Sequence, residues 1–175
     1  LLNAQAALAL GELAGLPLDS MLATLQNFTG LEHRCEYVAT VDGIDYFNDS
    51  KGTNIGSTMA AVEGLGAVYA PKDGKLLLIL GGQGNGQQFD EYVSQVLFIG
   101  ENSQQVEQHL SNNGIKDDDV YMHQCQTLEG AFATIQQVTK SSLSQVQAVL
   151  LSPACASFDQ FSGFAERGKY FSQLV

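Results

Sequence analysis

The run Leu76-Leu77-Leu78-Ile79-Leu80 constrains the fold more than any other stretch of this 175-residue chain. Successive side chains of an extended segment point to opposite faces, so an unbroken apolar run needs cover on both sides. A strand inside a parallel sheet, with helices above and below, supplies that cover. Shorter runs at 96–99, 120–122 and 148–151 read as further strands. Between them Val106 and Leu110, then Leu128, Ala131, Phe132, Ile135 and Val138, recur at helical spacing. This alternation predicts an α/β sandwich built on a mostly parallel, doubly wound sheet. Ahead of it, Asp42-Gly43 between β-rich runs at 35–41 and 44–47 predicts a hairpin. Residues 1–15, rich in Ala and Leu and ending in Gly15-Leu16-Pro17, read as a helix. A second helix comes next, with Asp19 as its cap, Leu22, Leu25 and Phe28 as its apolar stripe and Gly30 as its end. Two helices without strands cannot furnish the core of the strand-rich remainder. Residues 1–29 are therefore expected to be the tail of a preceding domain plus linker, and 30–175 the domain proper.

Eight basic against nineteen acidic residues give a net charge of −11, which argues against a nucleic-acid partner. Any anion must be held by a few placed groups. The apolar runs fall far short of the ~20 residues that span a bilayer, and the N-terminus lacks the basic flank of a secretion signal, so a soluble cytoplasmic protein is expected. Cys35, Cys125 and Cys155 form an odd count without paired metal-ligand spacing and read as buried free thiols.

Chemistry concentrates where strands end. Asn48-Asp49-Ser50-Lys51-Gly52-Thr53-Asn54 separates a strand from a helix marked by Ile55, Met59, Val62 and Leu65. Held extended, it would set Asp49, Lys51 and Thr53 on one face, a trio suited to a nucleotide or a carboxylate. Read blandly, it is a solvated turn capped by Thr53 or Asn54. The loop Gly81-Gly82-Gln83-Gly84-Asn85-Gly86 fails as a dinucleotide fingerprint, because Gln87 stands where the third glycine belongs. Ser152 to Phe161 can hold a carboxylate through the Ser157 hydroxyl and the N–H groups after it, or Ser157 can simply cap a helix. Ser157 is no nucleophile by pattern, since its flanks are not G-x-S-x-G and no motif ties His109 or His123 to it. Each of the three segments comes directly after a strand, so all three are expected at the carboxyl edge of the sheet.

Taken together, Gly30-Leu31-Glu32-His33-Arg34-Cys35-Glu36, the NDSKGTN loop, Ser152-Pro153-Ala154-Cys155-Ala156-Ser157-Phe158-Asp159-Gln160-Phe161 and Glu166-Arg167-Gly168 with Phe171 resemble the Mur ligase family, in order and over nearly the whole chain. The likeness is strongest to the branch that adds D-glutamate to UDP-N-acetylmuramoyl-L-alanine. It implies a three-layer, Rossmann-like sandwich with an N-terminal hairpin as the amino-acid-binding C-terminal domain, preceded by the end of a central ATP-binding domain. No G-x-x-x-x-G-K-[ST] loop occurs here, so the phosphate-binding part of such an enzyme and most Mg2+ contacts are expected outside this chain. The implied reaction is ATP-dependent amide formation through an acyl phosphate, in bacterial peptidoglycan synthesis, with this segment inactive alone. By the resemblance Lys51 is the catalytic residue, serving the phosphates or the developing charge. Asn3, Arg34 and Asp49 hold the adenine and ribose, and Thr53, Asn85, Ser157, Phe158 and Phe164 hold D-glutamate. Asn85 stands where the family has a carboxylate-binding lysine, which leaves a variant site, takeover by Lys51, or loss of activity open. On the residues alone, Asn3 can equally be an ordinary helix-start asparagine, Arg34 and Asp49 a surface ion pair, and His33 a structural residue. Another amino-acid ligase of the family and a non-catalytic α/β binding module are the alternative functions.

Overall fold

The computed structural model describes residues 2–81, 91–112, 120–140 and 145–175. The chain divides into two compact units, Leu1–Gly30 and Leu31–Val175.

The first unit is a helix pair, α1 (Leu2–Leu13) and α2 (Leu18–Gln26). Gly15, at φ +75°, takes the left-handed position that closes α1, and the Leu16 N–H returns to the Gly11 carbonyl at 2.9 Å. The α2 helix differs from expectation at both ends. Pro17 is its N-cap and Asp19 lies inside the first turn, where its charge meets the helix dipole rather than capping the chain. It stops at Gln26, capped by Asn27, short of Gly30.

In the second unit β1 (Glu36–Val41) and β2 (Ile44–Asn48) form the antiparallel hairpin. Both turn residues, Asp42 and Gly43, have positive φ, as a two-residue turn of the primed type requires. The remaining strands and α-helices are α3 (Ile55–Tyr69), β3 (Lys75–Gly81), β4 (Val93–Ile99), α4 (Ser103–Asn112), β5 (Tyr121–Gln126), α5 (Leu128–Val138), β6 (Val146–Leu151) and α6 (Phe164–Leu174). The sheet runs β1-β2-β6-β3-β4-β5, parallel everywhere but the hairpin.

The apolar run in β3 explains the layering. Leu76, Leu78 and Leu80 pack with Ala61, Val62 and Tyr69 of α3 and Val106 and Leu110 of α4. Leu77 and Ile79 pack on the opposite face with Leu128, Ala131 and Ile135 of α5 and Phe171 of α6. The result is a three-layer α/β/α sandwich. The chain steps outward from β3 to β5 and then returns through α5 to lay β6 between β2 and β3. That reversal opens a crevice beyond the carboxyl ends of β6 and β3, where ligands of such sheets gather. Gly81 ends β3 there; a Cβ on it would stand 3.1 Å from both the Cys155 Sγ and the Ile99 carbonyl oxygen.

Candidate ligand site at the carboxyl edge

Because β2 and β6 are neighbours, the loops that leave them meet. The Asp49 N–H donates to Leu151 O at 2.8 Å, the Ser152 hydroxyl donates to Asp49 Oδ2 at 2.6 Å, and the Ala154 N–H donates to Gly52 O at 2.8 Å. The third expected contributor falls largely outside the described residues, Asn85 included. Its first residue, Gly81, donates to Pro153 O at 2.8 Å.

The loop 48–54 is not extended. Gly52 N–H returns to Asp49 O at 2.7 Å and Thr53 N–H to Lys51 O at 2.9 Å, so it winds through two tight turns. Asp49 therefore does not share a face with Lys51 and Thr53. It points inward, 6% exposed, with Oδ1 accepting the Cys35 N–H at 3.1 Å and Oδ2 the Ser152 hydroxyl, while Lys51 and Thr53 stay exposed. The buried Ser152 hydroxyl, which also lies 2.9 Å from Thr58 Oγ1, has its charged acceptor in Asp49. Burial pushes its pKa up, against the pull of those hydrogen bonds and of the nearby Arg34 charge. Arg34 is itself exposed, and among the described residues Arg34 and Asp49 make no ion pair within 4 Å. Lys51 extends its ammonium over the Phe164 ring, 5.1 Å from the centroid, a cation–π contact. Asn54 caps α3 by accepting the Ser57 N–H at 3.0 Å.

Beneath the loop lies a buried polar knot. Asn48 Oδ1 accepts the Ser50 N–H at 3.1 Å, which fixes the amide so that Nδ2 is the donor to Gly168 O at 3.1 Å and to His33 Nδ1 at 3.0 Å. His33 thus accepts at Nδ1. It is 6% exposed and meets Phe164 edge-on, in a structural position. A side chain at Gly168 would put its Cβ 2.4 Å from His33 Nδ1.

The second loop, 152–161, is held differently. Ala154 adopts φ +58°, and Ser157 O accepts the N–H groups of Gln160 and Phe161 at 3.1 and 2.7 Å. The Ser157 hydroxyl is buried at 3% exposure, and no described residue hydrogen-bonds to it. The segments flanking it, with Gly100, Glu101 and Asn102 after β4, line a cleft of about 390 Å³. Phe158 is 78% exposed and Phe164 half-buried. Asn3 lies exposed on α1 of the first unit.

The thiols correct an expectation. All three cysteines are free, but Cys35 is exposed and Cys125 and Cys155 are only half-buried. Although the residue is exposed, desolvation of its thiol, then the Asp49 charge, pushes Cys35 up to about 12.

Three residues that organise the site went without a role in the sequence reading: Ser152, Thr58 and Arg167. Thr58, fully buried, donates to Ser152 O at 3.2 Å. Arg167 is 2% exposed and donates to Ser50 Oγ, Ser50 O and Cys155 O at 3.0, 2.9 and 3.1 Å. The available signal was a charge on an apolar stripe, since Phe164, Arg167 and Phe171 lie three and four positions apart on one helical face.

A doubly wound sheet carries at its carboxyl edge a lysine-bearing loop and a turn whose buried Ser157 hydroxyl has no hydrogen-bond partner among the described residues, which defines an α/β domain with its polar loops gathered at one rim. The family model described as "Mur ligase, glutamate ligase domain" matches residues 33–155, and the chain belongs to the Mur ligase family. It is 79% identical to a UDP-N-acetylmuramoylalanine–D-glutamate ligase from Psychrobacter cryohalolentis, over 100% of this chain and 38% of that protein. It is 49% identical to the ligase of the same name from Acinetobacter baylyi, over 99% and 38%. The chain thus spans well under half the length of these relatives. Among solved structures, a UDP-N-acetylmuramate–alanine ligase from Thermotoga maritima superposes with a TM-score of 0.66 at 17% identity, over 98% of this chain and 36% of that one. A murein peptide ligase from Psychrobacter arcticus gives 0.55 at 16%, over 99% and 36%. These likenesses show the same fold.

Proposed function

We propose that this chain is the C-terminal part of an ATP-dependent ligase that joins D-glutamate to UDP-N-acetylmuramoyl-L-alanine in peptidoglycan synthesis. The observation that carries the reading is the buried Ser157 hydroxyl, which has no hydrogen-bond partner among the described residues, in a turn hydrogen-bonded to the Lys51 loop. A buried hydroxyl without a partner is costly, and a ligand carboxylate would satisfy it. Phe158 and Phe164 would line the amino-acid site and Thr53 would border it. Asn85, in place of the family lysine, would donate without charge, and Lys51 would supply the cation.

On the nucleotide side the exposed Arg34 and Lys51 suit the base and phosphates of ATP, and Asp49 would bear on the ribose through its remaining lone pairs. ATP, when bound, supplies the phosphoryl group that turns the substrate carboxylate into an acyl phosphate. The chain's own residues would orient the D-glutamate amine toward that carbonyl and offset charge on the departing phosphate, which is positioning and electrostatics rather than covalent catalysis. Mg2+, when bound, would be held mainly by groups of the central domain. Residues 1–29 would be the end of that domain with Asn3 near the adenine, and 30–175 the amino-acid domain. The unburied α2 and the exposed Leu10, Leu13 and Phe28 support this, being surfaces that a larger body would cover. Among the described residues no helix is long and apolar enough to cross a membrane.

The test is phosphate release by the full-length enzyme with ATP, UDP-N-acetylmuramoyl-L-alanine and either D- or L-glutamate, repeated with Asn85→Lys. Turnover with the D isomer alone is expected. Turnover with another amino acid would reassign the substrate, and none with any, in both forms, would leave a non-catalytic binding module.

A further inference from the structure

Arg167 is nine-tenths and more buried, yet among the described residues no carboxylate lies within ion-pair distance of it. A guanidinium in that position must be compensated by hydrogen bonds or it destabilises the fold. Here the compensation goes to two loops at once. Nε and Nη2 reach the hydroxyl and carbonyl of Ser50, beside Lys51, and Nη2 also reaches the carbonyl of Cys155, two residues before Ser157. The Ser50 hydroxyl in turn donates to Phe164 O at 2.8 Å, so the first turn of α6 is part of the same brace.

The two loops depend on that brace unequally. Asp49 has independent anchors in Leu151, Cys35 and Ser152. The 152–161 turn is anchored to the β4 and β5 ends, Asp159 Oδ2 accepting the Glu101 N–H at 3.2 Å and Gln160 Nε2 donating to Gln126 O at 2.6 Å, but beyond Ala154 its hydrogen-bonded tie toward the Lys51 loop among the described residues is the Arg167 bond to Cys155 O.

We propose that Arg167 is a positioning residue that sets the Ser157 turn against the Lys51 loop, and so governs affinity for the amino-acid substrate more than for the nucleotide. The assignment of those two ligands rests on the function proposed above.

The experiment compares wild-type, Arg167→Met, Arg167→Lys and Ser50→Ala full-length enzymes by steady-state kinetics and by hydrogen exchange. Arg167→Met is expected to raise KM for D-glutamate by about tenfold or more, the scale of a misplaced binding group, and KM for ATP by less than about threefold. Arg167→Lys, which keeps the charge but loses the fork, is expected to recover part of that loss, and Ser50→Ala to fall between. Peptides covering 152–161 are expected to lose protection while those covering 44–50 keep it. Equal changes in both KM values, or a uniform loss of protection, would overturn the proposal and make Arg167 a general core residue. If Arg167→Met does not fold, the Arg167→Lys and Ser50→Ala comparison decides. If wild type fails to couple D-glutamate, the functional reading falls, and the exchange pattern still decides the brace.

Discussion

The loops leaving β2 and β6 start side by side on neighbouring parallel strands, yet among the described residues one has every buried side chain hydrogen-bonded and the other leaves a buried hydroxyl without a partner. In 48–54, Asn48, Asp49, Ser50 and Asn54 each spend their side chains on partners within the protein. In 152–161 the Ser152 hydroxyl is spent the same way, but the Ser157 hydroxyl is buried with nothing to bond among the described residues. The first loop is organised before any ligand arrives. The second contains a group whose burial becomes favourable only when something polar fills the space beside it.

The sharpest way to break that comparison is Ser157→Ala. On the proposed function, the lost bond to a charged group, about 1.5–3 kcal/mol, should raise KM for D-glutamate of the full-length enzyme some ~10–100-fold. The urea midpoint should stay level or rise, because no internal hydrogen bond is lost. A fall in midpoint by itself would show that Ser157 has a structural partner. Gly168→Ala tests the knot under the first loop: a Cβ 2.4 Å from His33 Nδ1 must displace a buried ring, at about 1–3 kcal/mol in urea unfolding. Ser152→Ala is the stability counterpart of Ser157→Ala. Removing the donor to Asp49 should cost about 1–2 kcal/mol, and a neutral result would mean that Asp49 is satisfied without it.

The smallest effect is a difference in sign. Asp49, in the first loop, has its folded-state pKa raised by burial, so its contribution is present in full below the ordinary carboxylate range and is lost as pH rises through the folded value. Glu166 accepts the Ser162 N–H and hydroxyl, both at 2.6 Å, and its pKa is lowered by those bonds. Its contribution is present above the ordinary range and lost as pH falls. Urea midpoints measured from pH 3 upward should therefore lose an alkaline-side decline in Asp49→Asn and an acid-side decline in Glu166→Gln. The reverse assignment would refute both readings.

The fold was legible because its determinants are local. The unbroken β3 run, the Asp42-Gly43 turn and the 3.6-residue spacing in α5 each announce an element within a few residues. The meeting of the 48–54 and 152–161 loops came from the rule that loops at the carboxyl ends of parallel strands share an edge. What escaped depends on partners far apart in the chain. The inward turn of Asp49 is set by Ser152, 103 positions away, and Arg167 reaches Ser50 across 117. Asp19 looked like a cap because aspartate favours caps, but Pro17, with its fixed φ, starts α2 two residues earlier. Cys35 read as buried from its type alone, whereas it sits at the exposed mouth of the hairpin.

A strand as uniformly apolar as Leu76–Leu80 carries no internal mark of its own phase. Both of its faces are greasy, so sliding it by a single residue would leave each helix layer facing much the same chemistry. Its marks stand at the ends. Lys75 Nζ donates to Glu91 O at one end, and Gly81 at the other fits where a Cβ would crowd Cys155 and Ile99. A one-leucine deletion would therefore be nearly silent in hydrophobicity, yet it would carry the mouth of the crevice about 3.3 Å out of step with its neighbours. The interior of this sheet supplies cohesion, and its rim keeps the alignment.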